Sequence, residues 1–469
     1  MTVAAELARW ALDLRGIPGD AASAVRRHLL DGLGTAVAAA RSGAARPAVD
    51  VASALGGPPE ATIIGGAGRV GAPAAALANG TLVHALDFDD THAGGLVHAT
   101  APVLPAVLAV GEEVGASGAE VAVALAAGLE TICRLGAAVP HGFHARGLHA
   151  TSVCGVFAAA LAAARLYRLS PEQAVNALGI AGSQAGGLLE FVNTGASTKQ
   201  LHPGLAALGG VLAARLAAAG ASGPASVFEG RYGLYGVLAG RRVGGAAVLA
   251  GLGERWELTR ITIKPYPVCQ LSHAALDAAG RLRPRLGGRD VDEIVVEIHP
   301  DAAQFVCGPG KERPASAYAA KFSLPWCLAA LLVDGTLTTA TFDDLDRPEV
   351  VALAARVRHE LVDSGGVAAG QPGRVIALLA DGSLVEAAVE RSGGGPGDPA
   401  LDGLVRTKAA ANLGDTAIVT TVDELERLPD LTSLMAALRG PLDILPALKD
   451  GVSTLEVVDD RSPARRTRI

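Results

Sequence analysis

Through roughly the first 260 residues, apolar side chains recur three and four positions apart, as in "DAASAVRRHLLDGLGTAVAAA" at 20–40. That spacing puts one apolar stripe on a helix, so the region reads as a series of helices. The stripe residues are mostly Ala, Val and Leu. Half the chain is hydrophobic but only 3% is aromatic, so its core must come from close contact between small side chains. Near residue 264 the period changes. "VDEIVVEIHP" (291–300) is β-branched, and "GRVIALLADGSLVEAAVE" (373–390) reads as a hairpin turning at Asp381-Gly382. Between them "AAKFSLPWCLAALLVDG" (319–335) reads as a helix, and after the linker "RSGGGPGDPAL" (391–401) the helical texture returns.

The expected fold is therefore mainly α with an α+β part. A large helical domain is formed by 1–263 and returns at 400–469, and a smaller α+β lid, 264–399, is inserted between them. Local signals set some boundaries: Asp20 is an N-cap candidate, and Ser170 followed by Pro171 marks a helix start at 170–188.

The bulk properties exclude several classes. Net charge is -7 with no basic stripe, which argues against a nucleic-acid partner, and the basic tail "RSPARRTRI" reads as a solvated terminus. No run of 18 apolar residues lacks Gly or polar breaks, so no membrane span is expected. "MTVAAELARWALDLRG" lacks the basic start of a signal peptide, so the expected compartment is the cytoplasm. The five cysteines, Cys133, Cys154, Cys269, Cys307 and Cys327, form no C-x-x-C pair, which argues against a disulfide framework or an iron–sulfur cluster.

Four short stretches hold most of the unusual polarity. "HALDFDDTHAGGLVHA" brings His84, Asp87, Asp89, Asp90, His92 and His98 within fifteen residues; His84 reads as a packed residue on the helix before the motif. "HGFHARGLHATSVCG" adds His141, His144 and His149. "TGASTKQLHPG" adds Lys199 and His202, and "IKPYPVCQLSH" adds Lys264, Cys269 and His273. Arg outnumbers Lys so heavily that the six lysines (199, 264, 311, 321, 408 and 449) stand out, because an ammonium is a compact, tunable charge where guanidinium is a planar fork. Each stretch reads as a loop feeding a helix start, where anions gather. H-x-x-H at 141–144 is a weak metal signal without the H-E-x-x-H or Cys-pair spacing of zinc sites, so no metal is expected. No GxGxxG opens a βαβ unit, and no GxxxxGK[ST] or GxSxG motif is present. Asp, His and Lys without these motifs suit proton transfer beside a carboxylate, with lysines holding the acid and stabilising enolate-like charge.

These stretches, together with "KFSLPWCLAALLVDG", resemble the MmgE/PrpD family, which includes 2-methylcitrate dehydratase, cis-aconitate decarboxylase and iminodisuccinate epimerase. The resemblance runs through nearly the whole chain. It implies a cofactor-free, commonly homodimeric enzyme acting on a small polycarboxylate. It also implies that Asp87, His98, His149, Lys199 and Lys264 are catalytic, with Thr91, His92, His202, Cys269 and His273 on the substrate. Asp89 and Asp90 read as helix-cap and structural carboxylates. Against the cis-aconitate decarboxylase branch, the 91–98 loop is one residue longer, Cys269 replaces a His, Leu324 a Tyr, and Ala150 follows His149 where a Pro is usual. Those departures argue against decarboxylation of cis-aconitate without choosing among dehydration, epimerisation and a reaction on another substrate; the expected reaction is a hydro-lyase step resembling 2-methylcitrate dehydration. Epimerisation, decarboxylation and a catalytically silent binding protein are the alternatives.

Overall fold

The computed structural model describes residues 1–440; Lys449 and the basic tail lie outside the described residues. The architecture is mainly α with a smaller α+β part. Six helices frame the first core: α1 (Gly19–Ser42), α2 (Ala72–His84), α3 (Thr100–Val114), α4 (Gly118–Ala137), α5 (Ala150–Leu166) and α6 (Thr198–Ala218). Their buried faces are mostly Ala, Val and Leu. The same core takes in Val405, Ala409 and Leu413 of the later helix Leu401–Leu413.

Local chemistry sets several helix starts. Ser117 at the head of α4 and Ser170 at the head of Pro171–Ala181 both form capping boxes, with Glu120 and Gln173 respectively. The second helix ends at Ala181, short of the expected 188. Asp20 is not an N-cap: the helix begins at Gly19 after Pro18, and the Asp20 carboxylate accepts from the Ala21 amide within the first turn.

α2 crosses α6 at close range. A Cβ on Gly204 would lie 2.3 Å from the Leu77 carbonyl oxygen, and one on Gly80 would lie 2.7 Å from the Gly204 Cα. Glycine at both positions lets the two backbones touch. This contact brings the first turn of α6, with Lys199, against the chain leaving α2. By length and composition α6 could cross a membrane, unlike the expectation, yet 61% of its apolar window is buried in this fold.

The second core contains α7 (His273–Leu286), α8 (Leu324–Asp334) and a four-stranded sheet. Two short strands precede this sheet in the chain, β1 (Thr91–His92) and β2 (Ile261–Thr262), and pair antiparallel with each other. The sheet strands are β3 (Val291–Ile298), β4 (Val357–Leu361), β5 (Gly373–Leu379) and β6 (Leu384–Val389), in the order β4-β3-β5-β6. β5 and β6 are the expected hairpin, and Gly382 at its turn has φ 81°. β4 pairs parallel to β3. The β1–β2 ladder ties the Asp-rich stretch to the chain just before Lys264.

Candidate active site

The chain leaves α2 and turns sharply at Asp87, whose φ is 53°. An L residue held there stores strain, and Asp tolerates it better than most. The turn is clamped by charge. Lys199 Nζ lies 2.5 Å from Asp87 Oδ1, and Lys264 Nζ lies 3.3 Å from the same oxygen while donating to the Asp87 carbonyl at 2.9 Å. All three side chains are buried. Burial alone would raise the Asp87 pKa; the two ammonium groups overcome it and hold the carboxyl well below its usual range.

Lys408, from the helix Leu401–Leu413, donates to the next carbonyl, Phe88, at 2.6 Å and pairs with buried Asp31 at 2.7 Å. Three of the six lysines thus converge on two adjacent residues, Asp87 and Phe88. A fourth, Lys321, is buried and donates to the Pro267 carbonyl at 2.9 Å, fixing the loop between Lys264 and Cys269.

The two following carboxylates are structural in contact. Asp90 accepts from the Thr100 amide at 3.1 Å, at the start of α3, and pairs with His28 at 2.8 Å. Asp89 pairs with His84 Nδ1 at 2.8 Å and lies 3.8 Å from His98 Nδ1. His84 is therefore part of the polar cluster and not merely a packed helix residue: its ring centroid is 4.7 Å from that of His98 and 5.7 Å from that of His149.

His98 Nδ1 is 2.8 Å from the Asp90 carbonyl oxygen. A carbonyl only accepts, so in the neutral ring Nδ1 carries the proton and Nε2 keeps its lone pair. His149 Nδ1 lies 3.1 Å from His202 Nδ1, so one ring donates to the other. Burial, followed by the charges of neighbouring groups, pushes the His98 and His149 pKa values well down, and His144 and His202 both fall to about 4. These imidazoles are neutral at pH 7. The Cys269 thiol is pushed up by burial and by Asp87, so it stays protonated.

Asp87, Thr91, His98, His149, Lys199 and Cys269 line one cavity. Lys264 lies behind Asp87, outside the lining. His92, His202 and His273, expected on the substrate, do not reach the wall, each for a definable reason. Alternation along β1 sends His92 to the opposite face from Thr91, where its Nε2 is 3.3 Å from Glu257. His202 backs His149. His273 is buried at the head of α7, with Nε2 3.2 Å from the Val268 carbonyl.

The lining also includes His141, His144 and Asp301, and an apolar side built from Leu189, Phe191, Val192, Leu271, Phe305 and Phe322. His141 and His144 stood out in the sequence; the apolar residues lie in stretches with no polar signal. Of the four non-glycine residues at positive φ in the described chain, Asp87, Leu96 and His141 line this cavity. Backbone strain of that kind concentrates at functional sites. A larger open cleft of about 1020 Å³, bordered by Tyr266, Asp277, Arg281 and Glu390, contains none of the residues clustered around Asp87.

One ring nitrogen each from His84, His98 and His149 lie within 4.8 Å of one another, a spacing that could hold a metal ion. The Lys199 and Lys264 ammonium groups on the adjoining Asp87 oppose a cation there.

The model of the MmgE/PrpD N-terminal domain matches residues 5–243, and that of the MmgE/PrpD C-terminal domain matches 266–427. The chain belongs to the MmgE/PrpD family. It is 32% identical to the cis-aconitate decarboxylase of Aspergillus terreus (strain NIH 2624 / FGSC A1156), over 94% of this chain and 96% of that protein. It is 29% identical to the cis-aconitate decarboxylase-like protein oryM of Aspergillus oryzae, over 94% and 98%, and 30% identical to human cis-aconitate decarboxylase over 61% of each.

These relatives correct the hydro-lyase expectation, because they are named as decarboxylases. The departures from the cis-aconitate decarboxylase branch differ in where the structure puts them, the 91–98 loop supplying Thr91, Leu96 and His98 to the cavity. Leu324, in the first turn of α8, is buried in the second core, and Ala150 is buried at the start of α5. Neither lines the cavity, so neither departure bears directly on the reacting atoms. Of the three substitutions only Cys269 does.

Proposed function

We propose that this protein is a lyase that decarboxylates a small unsaturated polycarboxylic acid of the cis-aconitate type. The observation that carries the reading is the Asp87 carboxylate held between Lys199 and Lys264, with His98 and His149 on the same cavity. The similarity to cis-aconitate decarboxylases along almost the entire chain supports it.

In such a step the C–CO₂ bond breaks, its electron pair moves into the carbon skeleton and shifts the double bond, and the distal alkene carbon takes up a proton. Lys199, at the cavity wall, supplies a charge-assisted bond to a substrate carboxylate. His149, accepting at Nδ1 from His202, carries its proton on Nε2 and delivers it. His98, with its Nδ1–H committed to the Asp90 carbonyl, offers an Nε2 lone pair that accepts from a protonated carboxyl of the substrate. Loss of a carboxylate charge is favoured where water is excluded and fixed dipoles replace it.

The enclosed space is about 80 Å³, below the roughly 300–1,000 Å³ of most ligand pockets. Entry therefore requires the α+β unit, which contributes Cys269, Leu271, Phe305 and Phe322, to move away from the helical wall. The test is incubation of purified protein with cis-aconitate in D₂O, followed by NMR and by CO₂ release. Release of CO₂ with one deuterium in a dicarboxylate product is the expected result. Deuterium exchange into intact acid with no CO₂ would replace decarboxylation by isomerisation.

A further inference from the structure

A tricarboxylate brings three negative charges, and the cavity does not offer three counter-charges. Among the described residues, Lys199 is the one permanent cation on its lining, and it already faces Asp87; Asp301 adds a second carboxylate, and no described Arg lines the space. Lys264 is spent on Asp87 from behind. The four lining imidazoles, His98, His141, His144 and His149, all have lowered pKa values and contribute dipoles rather than charge at neutral pH. An unpaired carboxylate moved into such a space is costly.

The remainder of the wall is of the opposite character. Leu189, Phe191 and Val192 approach from the helical part, while Leu271, Phe305 and Phe322 approach from the α+β part. Phe322 also lies under the Lys199 ammonium, 5.1 Å from ring centroid to Nζ, so the one cation sits at the boundary between the polar and apolar sides.

We infer that the substrate of this site is an unsaturated dicarboxylate bearing an apolar substituent, with the substituent against Phe191, Val192 and Phe305 in place of a third carboxylate. For the reaction, this rests on the decarboxylation reading above. One carboxylate meets Lys199. The other, the one lost as CO₂, has no cation of its own, which favours its departure. The electron pair of its C–C bond moves into the shifted double bond, and one proton is taken up at the distal carbon, so no oxidant or reductant is required.

Unreactive probes test the class without depending on turnover. Calorimetry would compare propane-1,2,3-tricarboxylate with succinates carrying methyl, propyl and pentyl groups. Each methylene buried against the apolar wall should tighten binding about fourfold, and the alkylsuccinates should exceed the tricarboxylate by at least about tenfold. Equal or tighter binding of the tricarboxylate, or affinity that does not rise with alkyl length, overturns the inference. Phe305→Arg should reverse the order by giving the third carboxylate a partner; if this variant folds and the wild-type order persists, the assigned wall is wrong.

CO₂ release from cis-aconitate and from a 3-alkylpent-2-enedioic acid, whose departing carboxylate sits on the saturated carbon next to the alkene, separates the two claims. The alkyl preference in binding with CO₂ from neither compound supports the substrate class and removes the decarboxylation reading. A higher kcat/KM for cis-aconitate removes the class and leaves the reaction.

Discussion

Lys408 and Asp31 offer a test of how the Asp87 turn is held that needs no substrate. The pair is buried, 2.7 Å apart, and Lys408 also donates to the Phe88 carbonyl at 2.6 Å, with its ammonium 3.8 Å from the Phe88 ring centroid. Burial pushes the Lys408 pKa down and that of Asp31 up, while their mutual attraction opposes both shifts. Lys408→Met keeps the length of the side chain and removes the charge. It leaves a buried carboxylate without its cation and a carbonyl without its donor, and breaking a buried pair from one side costs about 3–5 kcal/mol. Asp31→Asn should cost less, because the Asn oxygen still accepts. In the double variant both charges of the pair are gone, and the Phe88 carbonyl and the neutral amide oxygen at position 31 are left without the Lys408 donor, at about 1–3 kcal/mol for an unsatisfied group. The double variant should thus be more stable than Lys408→Met alone, with a coupling of about 2 kcal/mol or more. Urea unfolding in a Trp326→Phe background measures this. Trp326 belongs to the second core, so the remaining fluorescence comes from Trp10 and Trp256, which pack with ring centroids 5.8 Å apart beside the first core. If the two single losses simply add in the double variant, the pair is not coupled and the argument fails.

Four further outcomes are expected. Lys199→Met and Lys264→Met should each lower kcat/KM by about 10- to 150-fold, the loss of one charge-assisted bond of about 1.5–3 kcal/mol, while Arg9→Met at an exposed ion pair should not; wild-type kinetics from both lysine variants would refute their assignment. The His144 and His202 pKa values fall to about 4, so as pH drops from about 6.5 toward 4 the unfolded chain binds protons that the folded chain refuses. Stability should be full above that window and decline within it, and a urea midpoint equal at pH 7.5 and pH 5 would contradict this. Gly204→Ala places a methyl 2.3 Å from the Leu77 carbonyl and should cost about 1–3 kcal/mol, read as a lower melting temperature. Exhaustive chelation should leave activity intact and added zinc should not raise the melting temperature; the opposite result would assign the His84, His98 and His149 cluster to a metal.

Much of this was legible in the sequence, for one physical reason: the signals were local. The helix start at Ser170 is set within four residues, and the turn at Asp381-Gly382 needs only its own backbone freedom. The change of period near 264 separates helix from sheet because 3.6 and 2.0 are different repeats. Loops with clustered Asp, His and Lys pointed to a candidate site, since buried charge is costly and is retained where it has partners.

Tertiary structure decided what those residues do. Only the α2–α6 crossing, with glycine against glycine, brings Lys199 to Asp87, 112 positions away. Only the β1–β2 ladder brings the chain before Lys264 beside the same turn, and it also sends Thr91 to the cavity and His92 away from it. Lys408 reaches Phe88 across 320 positions, a pairing with no period to reveal it. β4 joined β3 in parallel, which no hairpin signal could forecast. The apolar wall of Leu189, Phe191, Phe305 and Phe322 was also invisible beforehand, because an apolar residue facing a cavity looks the same in sequence as one facing a core.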